Sequence, residues 1–247
     1  MAEGFKPVSN TAPIGVIGKL KFYGRILLDF QFATIYRDVK KVLPYMKGDI
    51  LDVGCGDSPY RFLLKESQIK YQGIDIDGAS NFDYNNKEII FFNGEDIPFE
   101  NEKFDGIICT EVLEHVSNFQ KLINEMHRVM RANGTAIITI PWSARFHYIP
   151  YDYFRYTPSS LKTMFGAFNQ VEITPRGNDI SAIASKLVVL YVRNISINSI
   201  SKIITFILLI PFIPFVILFI GFAHLALIIN FTGGTEDPLG YTIKLKK

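Results

Sequence analysis

The stretch Ile50-Leu51-Asp52-Val53-Gly54-Cys55-Gly56-Asp57-Ser58-Pro59-Tyr60 carries the first residues whose types and spacing could do chemistry. An apolar run enters a turn holding two glycines. Glycine at a strand-to-helix turn lets the backbone approach a ligand and aims free N–H groups at it. A Gly-x-Gly alone is shared with dinucleotide enzymes, but Pro59 stands where their fingerprint has its third glycine. Asp52, just before the turn, would repel a pyrophosphate and suits a ligand with a cationic amine. Tyr71-Gln72-Gly73-Ile74-Asp75 reads as the next strand, ending in an acid.

A second set of ionisable groups follows at Glu111, Glu114 and His115, with His147 further on. An imidazole there could take a proton from an oxygen nucleophile near neutral pH, or it could be structural. Two carboxylates and an imidazole could also hold a hard cation. The aromatic stretch Tyr148 to Tyr156, with Arg155, comes next. Thr157-Pro158 then reads as a helix cap with proline in the first turn.

Short apolar runs positioning these residues alternate with amphipathic stretches, the pattern of a parallel sheet with crossover helices. Strands are expected at 49–53, 71–75, 89–92, 104–109, 135–140 and 170–174, and a helix at 118–131. Asn133-Gly134 is expected to end that helix and turn the chain into the next strand. Residues 17–46 read as helical, with basic and aromatic residues interleaved and Gly24 as the interruption. That helix packs on the domain or presents a face to a membrane surface.

Taken in order, these landmarks resemble the class I S-adenosylmethionine-dependent methyltransferases, notably the subgroup with a GCG turn, over residues 49–168. The resemblance implies an α/β, Rossmann-like, doubly wound sheet of seven strands, mainly parallel, whose last strand is antiparallel. It implies S-adenosyl-L-methionine as cofactor, held by Asp52, Gly54, Cys55 and Gly56 at the turn and by Asp75 and Ile76 at the ribose. Asp96 would accept from the adenine amine with Ile97 against the ring, and Thr110 and Glu111 would close the pocket. Tyr148, Tyr151, Tyr153 and Arg155 would shape the acceptor pocket, because the segment resembles methyltransferases acting on glycans, lipids or quinones. His115 or His147 would serve as general base. Glu-x-x-Glu-His also resembles the magnesium site of ubiquinone-pathway O-methyltransferases. Glu111, Glu114 and His115 are therefore the candidate ligands for Mg2+, although no metal is expected.

With 247 residues and a formal charge of +2, the chain can bury one ordinary core and is not built to bind nucleic acid. Cys55 and Cys109 lack metal-type spacing and read as reduced thiols. Residues 1–10 lack the build of a secretory signal, so the globular part is expected at the cytoplasmic face of a membrane. The membrane enters through residues 203–235, which hold no charged side chain before the final turn; Pro211 and Pro214 are expected to divide this run into a short and a longer arm. Residues 240–247 alternate with period two and read as the returning last strand, so both flanks of the apolar run lie on one side of the membrane. Basic residues on both flanks agree. The favoured reading is an apolar helical hairpin inserted before the last strand and dipping into the bilayer. A single span and a homodimer interface are the alternatives.

The expected division is 1–48 helical, 49–195 methyltransferase domain, 196–235 membrane-associating and 236–247 returning strand. Function is then expected to be methylation of an oxygen on a lipid-linked or amphipathic small-molecule acceptor. An anchored S-adenosylmethionine-binding protein without catalysis and a dinucleotide oxidoreductase are the competing readings.

Overall fold

The computed structural model describes residues 12–79, 88–195, 199–229 and 234–247. The N-terminal stretch weighed at residues 1–10 and the end of the apolar run at 230–233 lie outside these. Strands β1 (Gly48–Val53), β2 (Ile69–Ile76), β3 (Ile90–Phe92), β4 (Phe104–Thr110), β5 (Met130–Pro141), β6 (Gln170–Arg176) and β7 (Gly240–Lys246) form one sheet. Its order is β3-β2-β1-β4-β5-β7-β6. Pairings among β1 to β5 are parallel, and β7 runs antiparallel between β5 and β6, as the period-two ending requires.

The inner strands are apolar on both faces because both faces are covered. Leu51, Val53, Ile107, Ile138 and Ile140 join a core with α3 (Phe119–Val129) and α4 (Pro158–Met164). The alternate residues Ile50, Ile108 and Ile137 face α1 (Gly15–Leu28) and α2 (Phe30–Val42), packing with Phe22, Phe32, Ile35 and Val39. The carboxyl ends of β1, β2, β4 and β5 therefore sit between two helical layers, where an open α/β sheet binds its ligands.

Three local expectations are corrected. Gly24 lies inside α1, and the break falls at Asp29. The Asp29 carboxylate accepts from the Phe32 amide at 3.0 Å and pairs with Arg25 at 2.7 Å, so a cap decides the boundary rather than a glycine. Helix α3 stops at Val129, and Asn133-Gly134 lies within β5, where the pairing with β4 shifts register between Phe104 and Gly106. Pro211 and Pro214 do not fold the apolar run back. They tighten one turn at Ile210–Phe212 between α6 (Ile200–Leu209) and α7 (Ile213–Ile229), inside a helical stretch of 30 residues.

The hairpin before β7 is present, but α5 (Asp179–Asn194) supplies its first arm. Ala182 and Ala184, early in α5, share a buried cluster with Ala223 of α7. Late in α5, the Tyr191 hydroxyl donates to the Leu209 carbonyl at 2.9 Å. The two arms therefore run in opposite directions.

Arg176, at the end of β6, is fully buried. Its Nη1 donates to the Gln31 carbonyl at 3.1 Å and to Gln31 Oε1 at 3.0 Å. Its Nη2 donates to Glu111 Oε1 at 2.8 Å and to the Ile140 carbonyl at 3.3 Å. One side chain thus joins α2, the end of β5 and the segment after β4. Replacing Arg176 by Met leaves those acceptors unsatisfied, and urea denaturation should show a loss of about 3–5 kcal/mol. Arg176→Lys should recover only a minority of that loss, because one ammonium cannot serve both Gln31 and Glu111. A Met variant as stable as the parent would remove Arg176 from this role.

Candidate active site

Gly54 has a φ of +67°, and a Cβ there would collide with Val112, so the turn after β1 admits only glycine at that point. The Gly54 and Cys55 amides both donate to the Ile74 carbonyl, at 2.9 and 3.0 Å, tying the turn to β2. Asp75 closes it from the other side. Its Oδ2 accepts from the Gly56 amide at 2.9 Å and its Oδ1 from the Ile76 amide at 2.8 Å. Burial raises the Asp75 carboxyl above its ordinary range, and those two amides oppose the rise.

Asp52 is buried one layer deeper and accepts from the Tyr71 hydroxyl at 2.6 Å, with Ser58 Oγ 2.8 Å from the same phenol oxygen. Burial pushes its carboxyl up to about 7; the Tyr71 bond opposes this and the charge on Asp75 adds to it. Burial and the same two acids push the Cys55 thiol well up, which leaves it inert. Two glycines, a carboxylate at the end of β2 and a buried acid behind them match the donor set a methionine-linked nucleoside needs. On the adenine side the match is weaker. Asp96 is exposed and paired with Lys121 at 2.8 Å and Asn93 at 2.9 Å, and Ile97 is part of the main core. Ile76 is the more exposed apolar side chain there, at the edge next to Gly94. Thr110 ends β4 opposite Thr139 of β5.

Three of the five described non-glycine residues with left-handed φ, Ser58, Glu111 and Tyr148, border this region, where backbone strain commonly marks function. Glu111 points to Arg176 rather than to Glu114. Glu114 is fully buried, and neither carboxyl oxygen has a hydrogen-bond partner among the described residues. Burial, helped by the charge on Glu111, pushes its carboxyl far above the usual range, so it holds its proton. Glu114, His115 and His147 bring ligand atoms within 4.8 Å of one another, and Glu111 is not in that group. A cation there would have to displace the Glu114 proton and do without Glu111.

The two histidines differ. His115 Nδ1 lies 2.8 Å from the Tyr151 carbonyl, and burial pulls the imidazole down to about 4. His147 has Nδ1 at 2.9 Å from the Arg145 carbonyl and 3.1 Å from Asp152 Oδ2. Asp152 also accepts from the His147 amide at 3.0 Å and holds Arg155 through both oxygens, at 2.6 and 2.9 Å. Burial would raise the Asp152 carboxyl, but Arg155 and the His147 amide outweigh it and hold it below the usual range. With Nδ1 committed to these oxygens, Nε2 is the position that can take a proton.

Glu111, His147 and Tyr148 line a cleft of about 760 Å³ running between α1, α2, the end of β5 and α5. Tyr151 and Tyr153 stand exposed outside this lining, and Arg155 is turned onto Asp152 and the Arg145 carbonyl. Tyr71, Asp152, Arg176 and Gln31 were not singled out from sequence. Tyr71, Arg176 and Gln31 work through partners distant in the chain, whereas Asp152 works through His147 and Arg155 close by. The available signal was a lone charge at a strand end, as in Thr174-Pro175-Arg176-Gly177, and an acid one turn before Arg155.

Residues 51–138 match the model of a methyltransferase-domain family. A ubiquinone biosynthesis O-methyltransferase of Rickettsia akari is 35% identical over 132 residues, covering 51% of this chain and 52% of that protein. A demethylmenaquinone methyltransferase of Listeria monocytogenes is 26% identical over 163 residues, covering 58% of this chain and 65% of that one. The crystal structure of a SAM-dependent methyltransferase from Archaeoglobus fulgidus aligns with a TM-score of 0.54 at 18% identity, over 94% of this chain and 98% of that one, and so shares the fold. The chain spans about half the length of the first curated relatives it matches.

Two measurements probe the acids. Asp75→Ala should weaken S-adenosylmethionine binding by calorimetry by roughly a hundredfold or more, and near-parent affinity would take Asp75 out of the ribose role. Asp52 keeps its proton to about pH 7 in the folded protein, whereas the unfolded chain releases it near about pH 4. The folded state binds more protons in that window, so stability falls as pH rises through it. Asp52→Asn should therefore gain melting temperature over the parent progressively from about pH 4 to about pH 7 and then level off. A constant offset at every pH would contradict the buried, protonated Asp52.

Proposed function

From the class I S-adenosylmethionine-dependent methyltransferase domain that this chain carries, we propose that the protein methylates an oxygen of a membrane-associated acceptor at the cytoplasmic face of a membrane. The observation that carries the reading is an apolar surface beside the acceptor cleft. The run Ile200–Ile229 has a mean hydropathy of 3.0 over its most apolar stretch, none of it buried in the protein. Its α7 meets α1, where His224 Nε2 lies 2.9 Å from the Leu27 carbonyl and the His224 ring stacks on Phe30. Helix α1 in turn exposes Ile14, Val16, Ile17, Leu20 and Leu27, with Lys19 and Lys21 among them. Apolar residues interleaved with lysines suit a helix lying in a bilayer interface. The 30-residue run would extend ~45 Å, beyond a bilayer core of ~30 Å. Because α5 before it and β7 after it both belong to the globular domain, insertion from one side fits better than crossing.

When bound, S-adenosylmethionine supplies an electrophilic methyl group on a sulfonium. The residues of this chain do the rest. The Gly54–Gly56 turn and Asp75 would hold the nucleoside, and Asp52 would face the amine. His147 takes the acceptor's proton on Nε2 while Asp152 and the Arg145 carbonyl fix Nδ1. Methyl transfer depends mostly on alignment of the nucleophile. The ubiquinone and menaquinone relatives support quinone-like chemistry among the acceptors, without fixing it.

The test follows methyl-labelled S-adenosylmethionine incubated with detergent-purified protein and host membrane extract. Label should move into the lipid-extractable fraction, and His147→Ala should slow it by roughly 10²–10⁴-fold with cofactor affinity unchanged. Label confined to water-soluble acceptors would overturn the membrane assignment. Cofactor binding with transfer to no fraction would favour an anchored binding protein.

A further inference from the structure

The cleft holds more charge than a quinone or a neutral glycolipid would use. We propose that its occupant is a lipid phosphate or diphosphate, with the methylated hydroxyl at the inner end and the lipid chain leaving along α5; this rests on the membrane-acceptor reading above.

The argument starts from the cleft's two ends. Inside, it reaches Glu111, His147 and Tyr148. Outside, it follows α5 from Ser185 to Arg193, ~12 Å along the helix axis. That outer end belongs to the hairpin arm whose partner helices carry the exposed apolar run. The side walls there are Leu28 of α1 and Val188, Val189 and Val192 of α5. A volume of about 760 Å³ accommodates a ligand of several rings or a ring with part of a chain.

The charges give the class. Arg25, Arg145, Lys186 and Arg193 line the cleft, against the carboxylates Asp29, Glu111 and Asp237. Asp29 pairs with Arg25 at 2.7 Å, and Glu111 is neutralised from outside the cleft by Arg176. Asp237 lies 4.0 Å from Lys186 and accepts from the Trp142 indole at 3.1 Å. With Arg176 answering Glu111, the lining is positive overall. Lys186 and Arg193 are seven residues apart, two turns of one helix face, ~10 Å along the axis. Cations spaced that way over apolar walls fit an anion of more than one charged oxygen joined to a chain. Neither a quinone nor an uncharged glycolipid has a group for them.

The experiment measures binding of farnesyl phosphate and of farnesol to the full-length protein in neutral detergent by calorimetry. Farnesyl phosphate should bind at least about tenfold tighter, and Lys186→Gln with Arg193→Gln should erase that difference while S-adenosylmethionine affinity stays at the parent value. Equal binding of the alcohol and the phosphate, or an undiminished phosphate preference in the double variant, would overturn the proposal. Flotation with phosphatidylcholine vesicles separates the two readings. Failure to float removes the membrane reading, whereas floating without phosphate preference removes this proposal alone. Vesicles containing phosphatidic acid distinguish a response to any lipid phosphate at the bilayer surface from binding in the cleft. Binding lost on the Lys186 and Arg193 changes to farnesyl phosphate but kept to such vesicles supports the cleft.

Discussion

The structure hangs on a guanidinium with no access to water. A charge buried that completely needs acceptors in fixed positions, and the Nη1 and Nη2 donors of Arg176 meet them on α2, on β5 and at Glu111, while Nε has no partner among the described residues. The consequence is positional. Glu111 sits at the carboxyl end of β4 with a left-handed backbone, and the pull of Arg176 directs its side chain away from the neighbouring acid and histidines. Gln31, the other principal partner, also donates to the Leu239 carbonyl at 3.0 Å. One buried cation therefore sets the seam where the N-terminal helices, the segment after β4 and the returning last strand come together.

Around that seam the site keeps three buried or nearly buried acids, each handled differently. Asp75 is held by backbone amides, Asp52 by a phenol, and Glu114 by nothing among the described residues. Desolvation pushes all three upward. A ligand bearing a positive amine or sulfonium would favour their ionised forms.

The sheet was legible because its determinants are local. Apolar runs such as 50–53 and 104–109 and the alternating ending each read correctly from neighbouring residues alone. The positions of Asp52, Gly54 and Asp75, at a turn and near two strand ends, were legible for the same reason. What stayed hidden was long-range. Nothing near Tyr71 shows that its hydroxyl reaches Asp52, and nothing near Arg176 shows that it reaches Glu111, 65 residues away. The misplaced helix breaks have the same origin in reverse. Gly24 is a weak local breaker that the Asp29 cap overrode, and Pro211 and Pro214 stand in the tight turn at Ile210–Phe212 and the first turn of α7, where proline is tolerated.

The place of the apolar insertion follows from the sheet. Strand β7 must return antiparallel between β5 and β6, so whatever lies between β6 and β7 begins and ends at the same domain. An insertion there can grow outward without disturbing any strand pairing. It also leaves β6 immediately after Arg176, through the Gly177 turn and the Asn178 cap of α5. The first arm of the hairpin is consequently rooted at the residue that pairs with Glu111. On the function proposed above, the cleft wall formed by α5 is thereby tied to the Glu111 end of the cleft, where a membrane-drawn acceptor would present its oxygen to His147.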